Sequence, residues 1–472
     1  MMSNARKSIC RFGRRRKIMS NKIPQPSYEK LHSWDIYSKD LGVEYVQCIE
    51  EGKNVTALKE LFDAVSKMDY SKEREDAADI IYRKIMEAPQ VEGYKYDEPS
   101  DLEGIFALRD SFRLSGKELS KEEIKDKVLG AWLGRVCGCL LGKPIEGIRT
   151  PDLHPLLKKT GNFPMKRYIL ASEITDDIAK ECKFPLRGRC FADTLNGSAP
   201  VDDDTNYTAI GYEILKRFGR GFTPHNVIDY WVNFQGKNAY CTAERVAYRN
   251  YVAGYFPPDS AVYKNPYREW IGAQIRGDFF GYINPGDPEA AADMAWRDAS
   301  ISHVKNGIYG EMFASAMIAA AAVSDNTEEV VRAGISQIPK TSRLYEKISA
   351  LLDFYKAGGS ADDFFADFAK RYNEFSAHDW CHTISNAEIV AAALLYGEGD
   401  YGKSICLAVQ QGFDTDCNGA TVGSVIGMMK GSAAVGEEWT APTCFMLQTS
   451  IFGVGTVDIR EMAEKTLEFI AT

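Results

Sequence analysis

Histidine is scarce in this 472-residue chain, with six in all. No HExxH pair is present to set two imidazoles on one helix face around zinc. The eleven cysteines are odd in number and contain no CxxC pair. That pattern argues against a thiolate zinc site or a disulfide frame and points to the reduced thiols of a cytoplasmic protein. A GxGxxG placed after a strand, as a dinucleotide-binding loop requires, is missing too. No apolar run reaches the length of a membrane span, and the best candidates, 313–323 and 387–395, read as buried helices. Strand-type alternation long enough for a sheet is absent, as is low complexity. An excess of positive charge is also lacking, since 57 basic residues face 66 acidic ones for a net −9. No broad field therefore favours nucleic acid or an anionic membrane.

What is present is helical. The length suits one large domain with an appendage. Residues 1–18 carry seven Lys and Arg and no acid, which reads as a disordered basic tail or, alternatively, a targeting segment. Residues 19–118 read as a helical N-terminal extension. In it Asn54 can cap a helix with an apolar stripe through Val55, Leu58, Leu61, Phe62, Val65 and Met68. The main domain spans 119–472 and opens on a capping box, Ser120 with Glu123. Within GAWLGRVCGCLLGKPIEG, glycines 130, 134 and 138 recur every four residues. The run GFDTDCNGATVGSVIGMMKG has the same device at Gly419, Gly423 and Gly427. Such a stripe bares one helix face for close approach by another helix, and each stripe is an attractive partner for the other.

The acids sit where these helices begin. Asp414 and Asp416 precede the second glycine stripe, while Asp202, Asp203 and Asp204 run straight into TNYTAIGYEIL. Acids favour helix N-termini as ordinary caps, and a solvated acidic loop is the plain alternative. Three adjacent carboxylates nevertheless need counter-charge unless solvated, and a hard divalent cation with oxygen ligands is one source of it. Glu146 stands in the turn after the first glycine helix. The irregular stretch IGAQIRGDFFGYINPGDPE offers Arg276, with Asp278 beside it, as a substrate contact for an anionic group, or else as loop packing. His303 is a further candidate substrate contact or a satisfied structural histidine.

Three segments together, GAWLGRVCGCLLGKPIEG, VDDDTNYTAIGYEIL and GFDTDCNGATVGSVIG, resemble the ADP-ribosylglycohydrolase family, with a weaker match at DASISHVKNG. The resemblance covers roughly residues 121–460. It implies a compact, multi-helix all-α fold holding two Mg²⁺ ions, with Mn²⁺ as a substitute. It also implies a partner that is ADP-ribose or a related glycoside, free or protein-linked. Carried over by position, the metal ligands are Asp203, Asp204, Asp414 and Asp416, and Glu146 acts on the attacking water. Three positions depart from the family pattern. Asp202 and Cys417 stand where threonines are common, and both enter the candidate ligand set, although a thiol suits Mg²⁺ poorly. Cys139 replaces a common Asp.

The chemistry implied is hydrolysis of a glycosidic bond to ribose, with positive charge building at the anomeric carbon and Glu146 moving protons. Two other readings stay open: a glycoside or nucleoside hydrolase that does not act on ADP-ribose, and a non-catalytic binding or structural protein on the same fold.

Overall fold

The computed structural model describes residues 24–470, so segment 1–18 lies outside the described residues. Among these there are 23 α-helices and two three-residue strands, Met446–Gln448 and Thr456–Asp458. The all-α expectation therefore holds, with one short antiparallel pair added.

The centre is built by the two glycine-striped helices. Ser120 starts the first, Lys121–Gly142, through a reciprocal capping box: its Oγ accepts from Glu123 N at 3.2 Å and its own N–H donates to Glu123 at 2.8 Å. Beyond the first turn this helix is buried on nearly every side. By length and composition, Lys121–Ile145 is apolar enough to cross a membrane, which corrects the expectation that no run reaches that length. Its most apolar window is 89% buried inside the protein, however, so its apolarity is spent on the core.

The partner helix, Thr415–Lys430, runs antiparallel to it. A Cβ placed on Gly130, Gly134 or Gly138 would sit 2.4, 2.1 and 2.1 Å from the carbonyl oxygens of Gly427, Gly423 and Gly419 respectively. The stripes thus meet backbone to backbone, as their spacing predicts. At the end of the contact, a Cβ on Gly142 would lie 2.3 Å from Asp416 N. That approach brings the turn carrying Glu146 against the start of the aspartate helix. We expect Gly138→Ala to cost about 1–3 kcal/mol or more, because no rotamer change can relieve a clash with backbone. Gly42→Ala, in a helix with open space around the new methyl, should be neutral or stabilising. Thermal unfolding of both variants checks this.

The N-terminal part has a small core of its own, including Leu41, Cys48, Val55, Phe62, Val65 and Ile81. The helix expected after Asn54 forms as a 3₁₀ turn, Thr56–Leu58, followed by Lys59–Ser66. Met68, assigned to its apolar stripe, is exposed. Buried ion pairs attach this part to the main domain. Arg268 lies between Glu44 (2.8 Å) and Glu51 (2.5 Å), and Arg343 between Glu98 (2.9 Å) and Glu269 (2.6 Å).

Candidate active site

Two helix starts and one turn supply the acids. Asp202 is the N-cap of Asp203–Phe218, its side chain accepting from Asp204 N at 2.9 Å. Here the ordinary capping account is correct. It fails for Asp414, which occupies the N-cap position of Thr415–Lys430 but makes no side-chain cap bond. Its carboxylate turns instead into a cavity of about 110 Å³, where Glu146, Asp203, Asp416 and Cys417 also face. Tyr207, Glu244, Trp270 and Trp380 complete much of the wall.

Two cations, which the sequence did not single out, organise the back of this site. Arg135, in the middle of the first glycine helix and fully buried, pairs with Asp204 at 3.1 Å and with Asp278 at 3.0 Å. It also donates to Thr208 Oγ1 at 2.8 Å. Lys143 pairs with Asp202 at 2.5 Å. Asp203, Asp414 and Asp416 have no ion-pair partner among the described residues. Burial and the neighbouring carboxylates push the acids of Asp203, Asp204 and Asp416 well above the usual carboxylate range. Burial raises Asp414 as well, against hydrogen bonds from Cys417 and Asp416. Glu146 is pushed up to about 7, first by loss of hydration in the dense surroundings, then by the charges of Asp414 and Asp202. Its side chain still reaches solvent at the mouth of the site, which moderates the desolvation part of that shift.

Asp204 Oδ2 and Asp416 Oδ1 are buried without any hydrogen-bond partner. Possible ligand atoms of Asp204, Asp416 and Cys417 lie within 4.8 Å of one another, as do those of Cys139, Asp202 and Asp204. Orphaned, crowded carboxylate oxygens are a donor set for a hard divalent cation. Burial and the surrounding aspartates keep the Cys139 and Cys417 thiols protonated, so the oxygens are the fitting ligands.

The three residues expected to contact substrate do not line the cavity. Arg276 lies behind the wall, bound to Glu244 at 2.7 Å and also to Asp298, with Glu311 at 3.5 Å. Asp278 is the buried partner of Arg135. His303 approaches Glu244 at 4.0 Å but opens onto a different, mostly apolar cleft of about 600 Å³, near His225, Phe256 and Trp296. That larger cleft holds none of the clustered acids, so size does not mark the site here. Of the three, Arg276 positions the wall by holding Glu244, which does face the cavity.

A second ligand-like group, Glu50 with His378 and His382, has a different character. The Nδ1 of His378 accepts from the Trp270 indole at 3.2 Å, and the Nδ1 of His382 accepts from Ile384 N at 3.1 Å. A neutral ring whose Nδ1 accepts carries its proton on Nε2. Both rings therefore turn N–H groups, not lone pairs, toward Glu50, at 3.1 and 3.5 Å. The contact is one of proximity, since neither Nε2 meets hydrogen-bond geometry.

An all-helical chain folded around an acid-lined pocket between two helix starts is the class that fold and site define. The sequence profile of the ADP-ribosylglycohydrolase family matches residues 120–470, and the chain belongs to that family. A solved structure described as an ADP-ribosylglycohydrolase-related protein complex is 19% identical, with a TM-score of 0.43. The alignment covers 74% of this chain and 98% of that one. No curated protein matches.

Proposed function

We propose that this chain is a divalent-cation-dependent hydrolase that cleaves the glycosidic bond to ADP-ribose or a related ribosyl group. The observation that carries the reading is the convergence of Glu146, Asp203, Asp414 and Asp416 on one cavity, with orphaned oxygens on Asp204 and Asp416. Asp203, Asp204, Asp414 and Asp416 would hold the cations, Mg²⁺ by the hardness of the donors and Mn²⁺ as a substitute. Bound there, such ions supply Lewis acidity and positive charge beside the sugar hydroxyls.

The chain's own residues do the rest. Lys143 neutralises Asp202 and Arg135 neutralises Asp204, which limits the repulsion the cations must offset. Glu146, at the mouth and within reach of solvent, removes a proton from the attacking water and returns it to the leaving group. The anionic wall opposes the positive charge that develops on the ring as the bond breaks. A purely structural role gives no reason to keep so many crowded, buried acids together.

Calorimetric titration with MgCl₂ and MnCl₂ tests the cation part directly. The unmutated protein is expected to bind both and to melt at higher temperature when they are added. Asp414→Asn should weaken binding and shrink that thermal shift. Absence of any Mg²⁺ or Mn²⁺ binding to the unmutated protein would sink the proposal.

A further inference from the structure

The family match begins at residue 120, yet residues N-terminal to it reach into the acid pocket. Trp34, on the short turn Ser33–Asp35, lines the same cavity as Glu146, Asp203 and Asp414. Its neighbour Asp35 fixes it there. Asp35 accepts from Arg245 Nε at 3.0 Å and Nη2 at 2.6 Å, and from Lys237 at 2.7 Å. A two-pronged guanidinium–carboxylate contact of this kind sets direction as well as position. Trp34 also packs on a buried cluster of Ala243, Val246, Tyr267 and Trp270.

A second attachment shapes the opposite wall. Trp380 and Cys381 line the cavity, and the histidines flanking them, His378 and His382, lie 3.1 and 3.5 Å from Glu50. Glu50 ends the helix Leu41–Glu50 of the N-terminal part. The extension therefore inserts one tryptophan into the site and packs against the short helix Ala377–Cys381 that carries another. Its desolvated anchors, Arg268 with Glu44 and Glu51, make it a fixed wall. What remains is a cavity of about 110 Å³, well below the roughly 300–1,000 Å³ of clefts that take drug-sized ligands.

We infer that the N-terminal extension restricts this site to small free glycosides of the nucleoside kind. The ribosyl ring lies against the acids, a compact flat aglycone lies against Trp34, Trp270 and Trp380, and ADP-ribose attached to a protein is excluded. This rests on the hydrolase reading above and narrows its substrate class. Indole faces suit a flat, uncharged aglycone because stacking tolerates any π-face.

The test uses the full chain in saturating MgCl₂, with tryptophan fluorescence reporting binding of inosine, ADP-ribose and an ADP-ribosyl-arginine peptide. Hydrolysis of each is followed in parallel. Inosine is expected to bind at least about tenfold more tightly than either ADP-ribosyl probe. Trp34→Ala should weaken inosine by about 5–150-fold, the worth of one stacking contact, and narrow the gap to the peptide. Trp34→Phe should restore most of the loss, and neither variant should change Mg²⁺ affinity measured by calorimetry. Tighter binding of ADP-ribose or the peptide, no binding of inosine, or an unchanged preference in Trp34→Ala overturns the inference. In those cases Mg²⁺ binding and cleavage of another riboside leave the hydrolase reading standing. Loss of Mg²⁺ binding in the unmutated protein removes both.

Discussion

Glu146→Gln is expected to lower hydrolysis by about 10²–10⁴-fold, the usual size of a general acid–base contribution. The substitution keeps the shape and volume of the side chain and removes only its basicity. Glu146 stands in the turn after the first glycine helix, exposed at the mouth of the cavity, and it has no ion-pair partner among the described residues to be left unpaired. Folding should therefore be unaffected. Mg²⁺ affinity should also persist, because the orphaned oxygens that invite a cation belong to Asp204 and Asp416. Turnover and cation titration on the same protein separate the roles. A proton-handling residue loses rate alone, whereas a ligand loses rate and affinity together. Near-normal turnover would take Glu146 out of the mechanism.

Arg135→Ala is expected to be the most damaging single change to stability, costing about 3–5 kcal/mol. Its guanidinium is fully buried between Asp204 and Asp278, and the opposite charge at once keeps Arg135 charged and restrains the rise of both acids. Removing one partner leaves two carboxylates buried without compensation, together with a cavity in the central helix. Arg135→Lys keeps a charge but cannot reach both acids and Thr208 with one point of contact. It should recover part of the loss. The check is thermal unfolding with and without MgCl₂. If a cation normally shares the burden on Asp204, added Mg²⁺ should rescue the variant by a larger shift than it gives the unmutated protein. A melting temperature close to that of the unmutated chain would show that Arg135 does not carry this charge balance.

The line between what was legible in the sequence and what was not follows the range of the forces involved. Local rules place the capping box at Ser120, the glycine spacing and the helix starts at Asp203 and Thr415, because each depends on residues within one or two turns. The pairing of the two stripes was also legible, since a bare face four residues in period fits only another close-packed helix. That the pairing is antiparallel, which brings Glu146 against Asp414 and Asp416, was shown only by the structure. Arg135 was hidden because a charged residue inside an apolar helix reads as an interruption until its two acids, 69 and 143 positions away by numbering, are seen to surround it. Arg276, Asp278 and His303 looked like substrate contacts, being chemically capable residues in irregular chain. Only packing shows that Arg276 is spent on Glu244 and Asp298, that Asp278 is spent on Arg135, and that burial holds the His303 ring neutral. The sequence by itself determined the helices, the central contact and the acids of the pocket, all set by periodicity and chain-local hydrogen bonds. The tertiary structure alone decided which carboxylates remain unpaired and that Trp34, outside the family match, closes the site, because ion pairing and burial are settled between elements far apart in the chain.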